Sequence, residues 1–177
     1  TCGPSLLVAF WCGPDLGSVE ELSGAGRGGK GKMSHIVGCG AGQAGSSLVA
    51  KLRKDGFDGE ITLFGAETAL PYQRPPLSKA YLLGDMALER LFLRPESFYT
   101  DNNIALKLGQ PVTAIDAAAK TVSIGDEVIS YDHLALTSGS DPRRLPAAIG
   151  GDLEGSVGVR GWNDVDVMAH SVTERSL

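Results

Sequence analysis

The sequence predicts an α/β fold that combines a parallel sheet and helices with a small antiparallel β-meander. The first observation is a strand–helix–strand pattern over residues 34–64, which has the length of one βαβ unit, about 30 residues. The second is a series of three short β-prone segments, 112–116, 121–124 and 127–130, typical of a meander. The third is an apolar strand at 133–137, which we expect to return to the parallel sheet.

The βαβ unit begins with a short buried strand, His35–Cys39. Residues 43–55 are predicted to form a helix, because their apolar side chains recur on one face at helical spacing. Gly56 follows at the position where glycine commonly ends a helix, and Glu60–Phe64 is the second strand. Elsewhere we predict a proline-bounded loop entering a short helix at 71–84, a helix from Pro95 to about Asp101, a loop at 138–155, a strand at 157–160 and a helix at 163–170.

Residues 1–32 differ in composition from the rest of the chain. They include the glycine-rich stretch 23–32 and show neither helical nor strand periodicity, so the sequence predicts a flexible segment. Met33 follows at once, and the periodic sequence starts directly after it. We therefore expect residues 1–32 to be a leader, or a segment added to the natural protein, and Met33 to be the natural start.

Composition limits the classes of partner. Of the 177 residues, 42% are hydrophobic and 21% charged, and the net charge is −5, so no basic face for nucleic acid is expected. No apolar run approaches the roughly 18 residues that span a bilayer, so no membrane association is expected. Three cysteines in a chain of this size do not form a disulfide framework, which favours a cytoplasmic protein with reduced thiols.

A glycine fingerprint joins the first strand to the helix. Gly40, Gly42 and Gly45 have the G-x-G-x-x-G spacing, and Glu67 lies 22 residues beyond Gly45. In a dinucleotide site the glycines allow a tight turn, backbone approach to the pyrophosphate and close helix–strand packing, while the acid binds a ribose. The alternative is that these glycines only make a tight turn.

A second segment, Tyr72–Lys79, is stiffened by two adjacent prolines and carries the cations Arg74 and Lys79. Two fixed cations suit pyrophosphate oxygens or the anionic N1–C2=O region of a flavin. A solvated basic turn explains the same residues equally well from their chemistry alone.

Together these motifs resemble the FAD-dependent ferredoxin reductases, the putidaredoxin, rhodocoxin and biphenyl-dioxygenase reductase type within the pyridine nucleotide-disulfide oxidoreductase superfamily. The resemblance rests on the fingerprint at 40–45, the segments 61–67 and 70–79, and further matches in order. These further matches are 91–95, 112–116, 131–140 and 159–160. It implies a Rossmann-like FAD-binding domain that is incomplete here.

The resemblance also implies a role for individual residues. Backbone and small side chains of the fingerprint would hold the FAD pyrophosphate, and an acid would bind the adenosine ribose. Two cations would reach the phosphate and flavin ends, and a third would complete the flavin side. The residues are Gly40, Ala41, Gly42, Ala44 and Gly45 for the pyrophosphate, Glu67 for the ribose, Arg74 for the phosphate end and Lys79 for the flavin end, Val112 beside the adenine, Gly139 for backbone approach, and Arg160 on the flavin side.

Family members have, beyond this part, an NAD-binding domain, a returning FAD segment and an interface domain. By resemblance, residues 33–168 form the N-terminal part of the FAD-binding domain. Residues 169–177 are a divergent tail that is truncated before the NAD-binding domain. The parent protein would pass electrons from NAD(P)H through FAD to a ferredoxin-like or rubredoxin-like iron–sulfur protein. Two alternatives stay open: a catalytically inactive fragment of such a reductase, without NADH turnover, and a Rossmann NAD-binding dehydrogenase domain.

Overall fold

The computed structural model describes residues 6–7, 34–151, 153 and 156–175, with only the backbone for 6–7 and 172–175. The chain divides into two compact units. Of the described residues, unit 1 contains those from 6 to 71 and from 93 to 139, and unit 2 contains those from 72 to 92 and from 140 to 175.

Unit 1 is built on a five-stranded parallel sheet. Its strands are β1 (Leu6–Leu7), β2 (His35–Cys39), β3 (Glu60–Phe64), β4 (Ile104–Lys107) and β8 (His133–Leu136). They lie side by side in the order β1-β8-β2-β3-β4. Strand β8 pairs with β2, with Val37 opposite Leu134. The predicted return of this segment to the parallel sheet is therefore confirmed.

Both faces of this sheet are covered, each by its own hydrophobic core. Neighbouring residues of a strand point to opposite sides and so belong to different cores. Ile36 belongs to a core formed with helix α1 (Gln43–Lys54) and helix α2 (Glu96–Asp101), whose Tyr99 is 1% exposed. Val37 belongs to a second core on the other face. The strands are short apolar runs for this reason, as in parallel sheets buried on two sides.

The second core is closed by the predicted meander. Its strands, β5 (Ala114–Asp116), β6 (Thr121–Ile124) and β7 (Glu127–Ser130), form an antiparallel sheet in sequence order. Val122 of β6 is fully buried against this core, whereas Val128 of β7 is 63% exposed. The core-facing residues of the meander are Val122, Ile124 and Ile129 of β6 and β7, and the three predicted strands are confirmed.

Unit 2 consists of short turns and one helix. It contains a π-helical turn (Leu77–Tyr81), 3-10 turns at Leu88–Leu91 and Ala147–Ile149, and helix α3 (Trp162–Arg175). The Tyr81 hydroxyl donates a hydrogen bond to a carboxylate oxygen of Asp166 over 2.9 Å. The amide of Trp162 donates to the Tyr72 hydroxyl over 3.3 Å, so two tyrosines tie the turns to α3.

Several local predictions are wrong. Residues 157–160 are not a strand, and Val157 and Val159 are each 38% exposed. A strand requires a backbone partner, and no described residue pairs with this segment in a sheet. Strand β4 was not predicted, and α3 is longer than the predicted 163–170.

Of residues 1–32, predicted to be flexible, the structure describes only Leu6 and Leu7, which pair with Leu134 and Ala135 of β8. These two residues depart from the prediction, and the rest of it falls outside the described residues. Among the helices that the structure describes, none has both the length and the apolar character needed to cross a membrane.

Candidate functional site

The carboxyl ends of three neighbouring strands are tied together at one edge of the sheet in unit 1. The Gly40 amide donates to the Phe64 carbonyl at the end of β3, over 2.8 Å. The Thr137 amide, just after β8, donates to the Cys39 carbonyl over 2.9 Å, and the Thr137 hydroxyl donates to the Gly40 carbonyl over 2.7 Å. In open α/β sheets, ligands bind at this edge where neighbouring connections diverge.

The glycine loop, residues 40–45, lies at this edge, and each of its glycines meets a different constraint. Gly40 has φ of +119°, and a Cβ there would lie 2.2 Å from the Thr137 carbonyl oxygen. A Cβ at Gly45 would lie 2.2 Å from the Gly40 carbonyl oxygen, whereas a Cβ at Gly42 would meet nothing within 4 Å. The first and third glycines are therefore required by packing, and the second faces open space.

Helix α1 starts in the glycine loop without a side-chain cap. Its N-cap is Gly42, and no acidic residue stands in its first turn. The amides of a first helical turn have no carbonyl partner within the helix, and the helix dipole is positive at this end. Ala44 is exposed in this turn, and Ala41 is half-buried before it. The arrangement fits an anion such as a pyrophosphate.

The remaining predicted residues of unit 1 follow the ends of other strands. Glu67 is half-buried three residues after β3, and its carbonyl accepts the Gly109 amide over 3.0 Å. Val112 is half-buried against the second core, and Gly139 is exposed three residues after β8. All three residues follow the carboxyl end of a strand of the parallel sheet, and the glycine loop follows the carboxyl end of β2 in the same way.

The other three predicted residues belong to unit 2. Arg74 stacks over the Tyr72 ring, 5.2 Å from its centroid, and its guanidinium donates to the Arg160 carbonyl. Unit 2 thus brings Arg74 and Arg160 together. Lys79 is exposed in the π-helical turn, where its own backbone is not helical (φ −131°, ψ −112°).

A carboxylate fixes the backbone of Arg160. One oxygen of Asp164 accepts the amides of Arg160 and Gly161 over 2.8 and 2.7 Å, closing the start of α3 as in a capping box. The hydrogen bonds from Gly161 and Arg160 lower the pKa of Asp164, and the charges of Arg144 and Arg74 act in the same direction. The sequence contained this signal, an acid in the first turn of the predicted helix, but the prediction did not include it.

We expect Asp164→Asn to lower the thermal unfolding midpoint of the protein at neutral pH, because the neutral side chain of asparagine replaces a charged hydrogen-bond acceptor. Caps of this kind contribute about 1 kcal/mol. Since the folded pKa is depressed, the stabilisation is present above the ordinary value of 3.8 and lost as the pH falls through the folded pKa. Circular dichroism melts should therefore show the gap between wild type and variant closing below that value. An equal gap at pH 2.5 and pH 7 would contradict it.

Three residues beside the glycine loop were missed: Ser46, Arg94 and Tyr99. Ser46 is fully buried in α1, and its hydroxyl lies 2.9 Å from the Tyr99 hydroxyl and 3.0 Å from Nη1 of Arg94. A serine directly after the fingerprint, on the buried face of a helix, was the available sequence signal. Its partners are far along the chain, so spacing could not identify them.

The family model for pyridine nucleotide-disulphide oxidoreductases matches residues 34–177. The chain belongs to this family. Rhodocoxin reductase from Rhodococcus erythropolis is 44% identical over 142 residues, which are 80% of this chain and 33% of that protein. Rubredoxin-NAD(+) reductase from Ectopseudomonas oleovorans is 40% identical over 140 residues, 78% of this chain and 36% of that protein.

Solved structures give the same assignment. A ferredoxin reductase from Rhodopseudomonas palustris matches with a TM-score of 0.72 and 33% identity, over 80% of this chain and 35% of its own. Putidaredoxin reductase in a covalent complex with putidaredoxin matches with a TM-score of 0.71 and 34% identity, over 78% of this chain and 34% of its own. The chain therefore spans about one third of the length of these relatives.

These matches confirm the resemblance and the fold class, an incomplete Rossmann-like domain with a parallel sheet and an antiparallel meander. The family and the ferredoxin reductases among these relatives use FAD and NAD(P)H. The role of each predicted site residue in this chain stays a prediction.

The family's name includes disulfides, but the described part of this chain carries no cysteine pair. Cys39 is its free cysteine, and burial raises the pKa of that thiol to about 11. A thiol is nucleophilic as the thiolate, so Cys39 is protonated and inert at neutral pH.

Proposed function

We propose that this chain is the N-terminal, FAD-binding part of a reductase that passes electrons from NAD(P)H through FAD to a small iron–sulfur protein. The observation that carries the proposal is the glycine loop, where Gly40 and Gly45 are required by packing and Gly42 leaves open space before an uncapped helix. The acceptor class, a ferredoxin-like or rubredoxin-like protein, is supported by relatives named as ferredoxin and rubredoxin reductases.

In this proposal the residues divide by the part of FAD they hold. Amides of the glycine loop bind the pyrophosphate, Glu67 accepts from the ribose hydroxyls, and Val112 lies beside the adenine. Gly139 allows the backbone to approach the cofactor. In unit 2, Arg74 binds toward the phosphate end, and Lys79 and Arg160 bind toward the flavin. The fixed hydrogen bond between Arg74 and the Arg160 carbonyl supports a shared role for these two residues.

Bound FAD supplies the electron chemistry, hydride acceptance and stepwise release, while the protein orients and tunes the cofactor. This chain contributes fixed amide dipoles at the start of α1 and a tightly packed glycine loop that holds them in place. We also propose that the protein acts in the cytoplasm, because three cysteines in a chain of 177 residues do not form a disulfide framework.

Gly42→Ala tests the site directly. The backbone at Gly42 is extended (φ −96°, ψ −160°) and its Cβ would meet nothing within 4 Å, so the free energy of unfolding should change by less than about 0.5 kcal/mol. The methyl group would lie where backbone must approach the pyrophosphate. We expect FAD affinity to fall at least roughly tenfold, the loss of about one charge-assisted hydrogen bond.

The measurement is FAD titration of the purified chain by flavin fluorescence, together with the visible spectrum after desalting. Gly56→Ala is the matched control: it adds a methyl group in open space after the far end of α1. Its φ of +88° makes that substitution cost stability without touching the site. A wild-type chain that takes up no FAD, or a Gly42→Ala variant that binds as wild type does, would overturn the proposal.

A further inference from the structure

Arg94 lies beside the first turn of α1, the helix that begins in the glycine loop. Its Nη1 donates to the Ser46 hydroxyl over 3.0 Å, and its guanidinium stacks 5.0 Å from the centroid of the Phe98 ring. Ser46 is fully buried, and its oxygen also contacts the Tyr99 hydroxyl at 2.9 Å. The half-buried guanidinium is thus held in one place by a hydroxyl and an aromatic ring.

Nothing in the described part of the chain neutralises this guanidinium. No carboxylate forms an ion pair with Arg94, and its remaining N–H groups have no hydrogen-bond acceptor among the described residues. Arg53 differs from Arg94 in its hydrogen-bond partners, because the guanidinium of Arg53 donates to four backbone carbonyls. Arg94 has a single hydroxyl instead.

The position of Arg94 is also electrostatically unfavourable for a cation. The start of a helix carries a partial positive charge, and α1 has no acid in its first turn to offset it. A second positive charge beside this end raises the local potential further. An arrangement of this kind is stable when an anion binds there, and the open space at Gly42 adjoins the same helix end.

We propose that Arg94 is a further anion-binding residue of the dinucleotide site, held by Ser46 so that its charge acts on the pyrophosphate together with the α1 amides. The inference rests on the proposed function, since it takes the dinucleotide as the anion. In a purely structural role, Arg94 would only brace Ser46 and Tyr99.

The test is Arg94→Gln, with ADP as the probe, because ADP contains the pyrophosphate and the adenosine without the flavin. We expect ADP affinity to fall roughly tenfold, as for one charge-assisted hydrogen bond, and to lose part of its salt dependence. Adenosine, which has no phosphate, should bind wild type and variant equally. Arg94→Lys keeps the positive charge but loses the planar guanidinium, so its affinity for ADP should lie between those of wild type and Arg94→Gln.

Two control variants separate charge from packing. Tyr99→Phe removes the hydroxyl that meets Ser46 and leaves the charge of Arg94, so ADP affinity should be unchanged. Lys54→Gln makes the same change in net charge at the exposed far end of α1, and it should also leave ADP affinity unchanged.

The outcomes distinguish the two proposals. If wild type binds ADP and FAD but Arg94→Gln binds them equally well, the role of Arg94 is refuted and the proposed function stands. The role is also refuted if Tyr99→Phe weakens ADP as much as Arg94→Gln does, or if Arg94→Gln weakens adenosine equally. If wild type binds neither ADP nor FAD, the proposed function fails and this inference fails with it.

Discussion

Replacing Gly45 with alanine is expected to destabilise unit 1 by about 2 kcal/mol, although alanine is the better helix former. Inside a helix, Gly→Ala ordinarily stabilises by about 1 kcal/mol. At Gly45 the new Cβ would lie 2.2 Å from the Gly40 carbonyl oxygen, and overpacking of this severity costs about 1–3 kcal/mol or more. The clash therefore outweighs the helix propensity.

The clash cannot be relieved by a small shift, because the Gly40 peptide is fixed on both sides. Its amide donates to Phe64 and its carbonyl accepts the Thr137 hydroxyl. Urea unfolding followed by circular dichroism would measure the change, with Gly42→Ala as the matched control in the same loop. An unfolding midpoint for Gly45→Ala at or above that of wild type would show that helix and strand are not packed as described.

The βαβ unit could be predicted because its determinants are local. Apolar spacing fixes the strand and helix periods, and the observed helix, Gln43–Lys54, ends one residue before the predicted end. Gly40 and Gly45 carry their constraint in the sequence itself, since each is a position where a side chain would clash with the backbone. The meander was predicted for the same reason, from three short β-prone segments that follow one another closely.

What escaped prediction depends on contacts distant in sequence. Strand β4 is only four residues long, and what makes it a strand is pairing with β3, Ile104 opposite Ile61. The residues at 157–160 have a similar apolar alternation and no such partner among the described residues. Arg94 meets Ser46 across 48 positions, and no spacing rule connects the two. Local pattern therefore defines candidates, and pairing in the fold selects among them.

Arg53 shows how strongly such a distant contact can act. At the end of α1 its guanidinium donates to the carbonyls of Phe57 and Gly59, over 2.7 and 2.8 Å, on one side. On the other side it donates to Asn102 and Asn103, over 2.7 and 2.8 Å, in the turn between α2 and β4. One side chain thus joins the end of α1 to the entry of two strands. Burial lowers the pKa of this guanidinium, but the group stays charged.

We expect Arg53→Met to destabilise unit 1 by about 3 kcal/mol. Methionine keeps the apolar stem but supplies no donor to the four carbonyls, and each buried acceptor left unsatisfied costs about 1–3 kcal/mol. The estimate counts about 1 kcal/mol for each of three carbonyls. The fourth, that of the exposed Asn103, is left out because water can replace the lost donor there, and the low value per carbonyl reflects the half-buried position of Arg53. Urea unfolding would give the free energy, and amide exchange would show whether β3 and β4 lose protection first.

Lys51→Met is the matched control, because it removes one positive charge from the same turn of α1. Lys51 is exposed and pairs with Asp55 one helical turn away, an interaction worth less than about 0.5 kcal/mol. Arg53→Lys should fall between the two, since one ammonium cannot span both sides of the network. If Arg53→Met and Lys51→Met cost the same, the network adds nothing beyond a surface charge. The end of α1 would then be held by its apolar contacts alone.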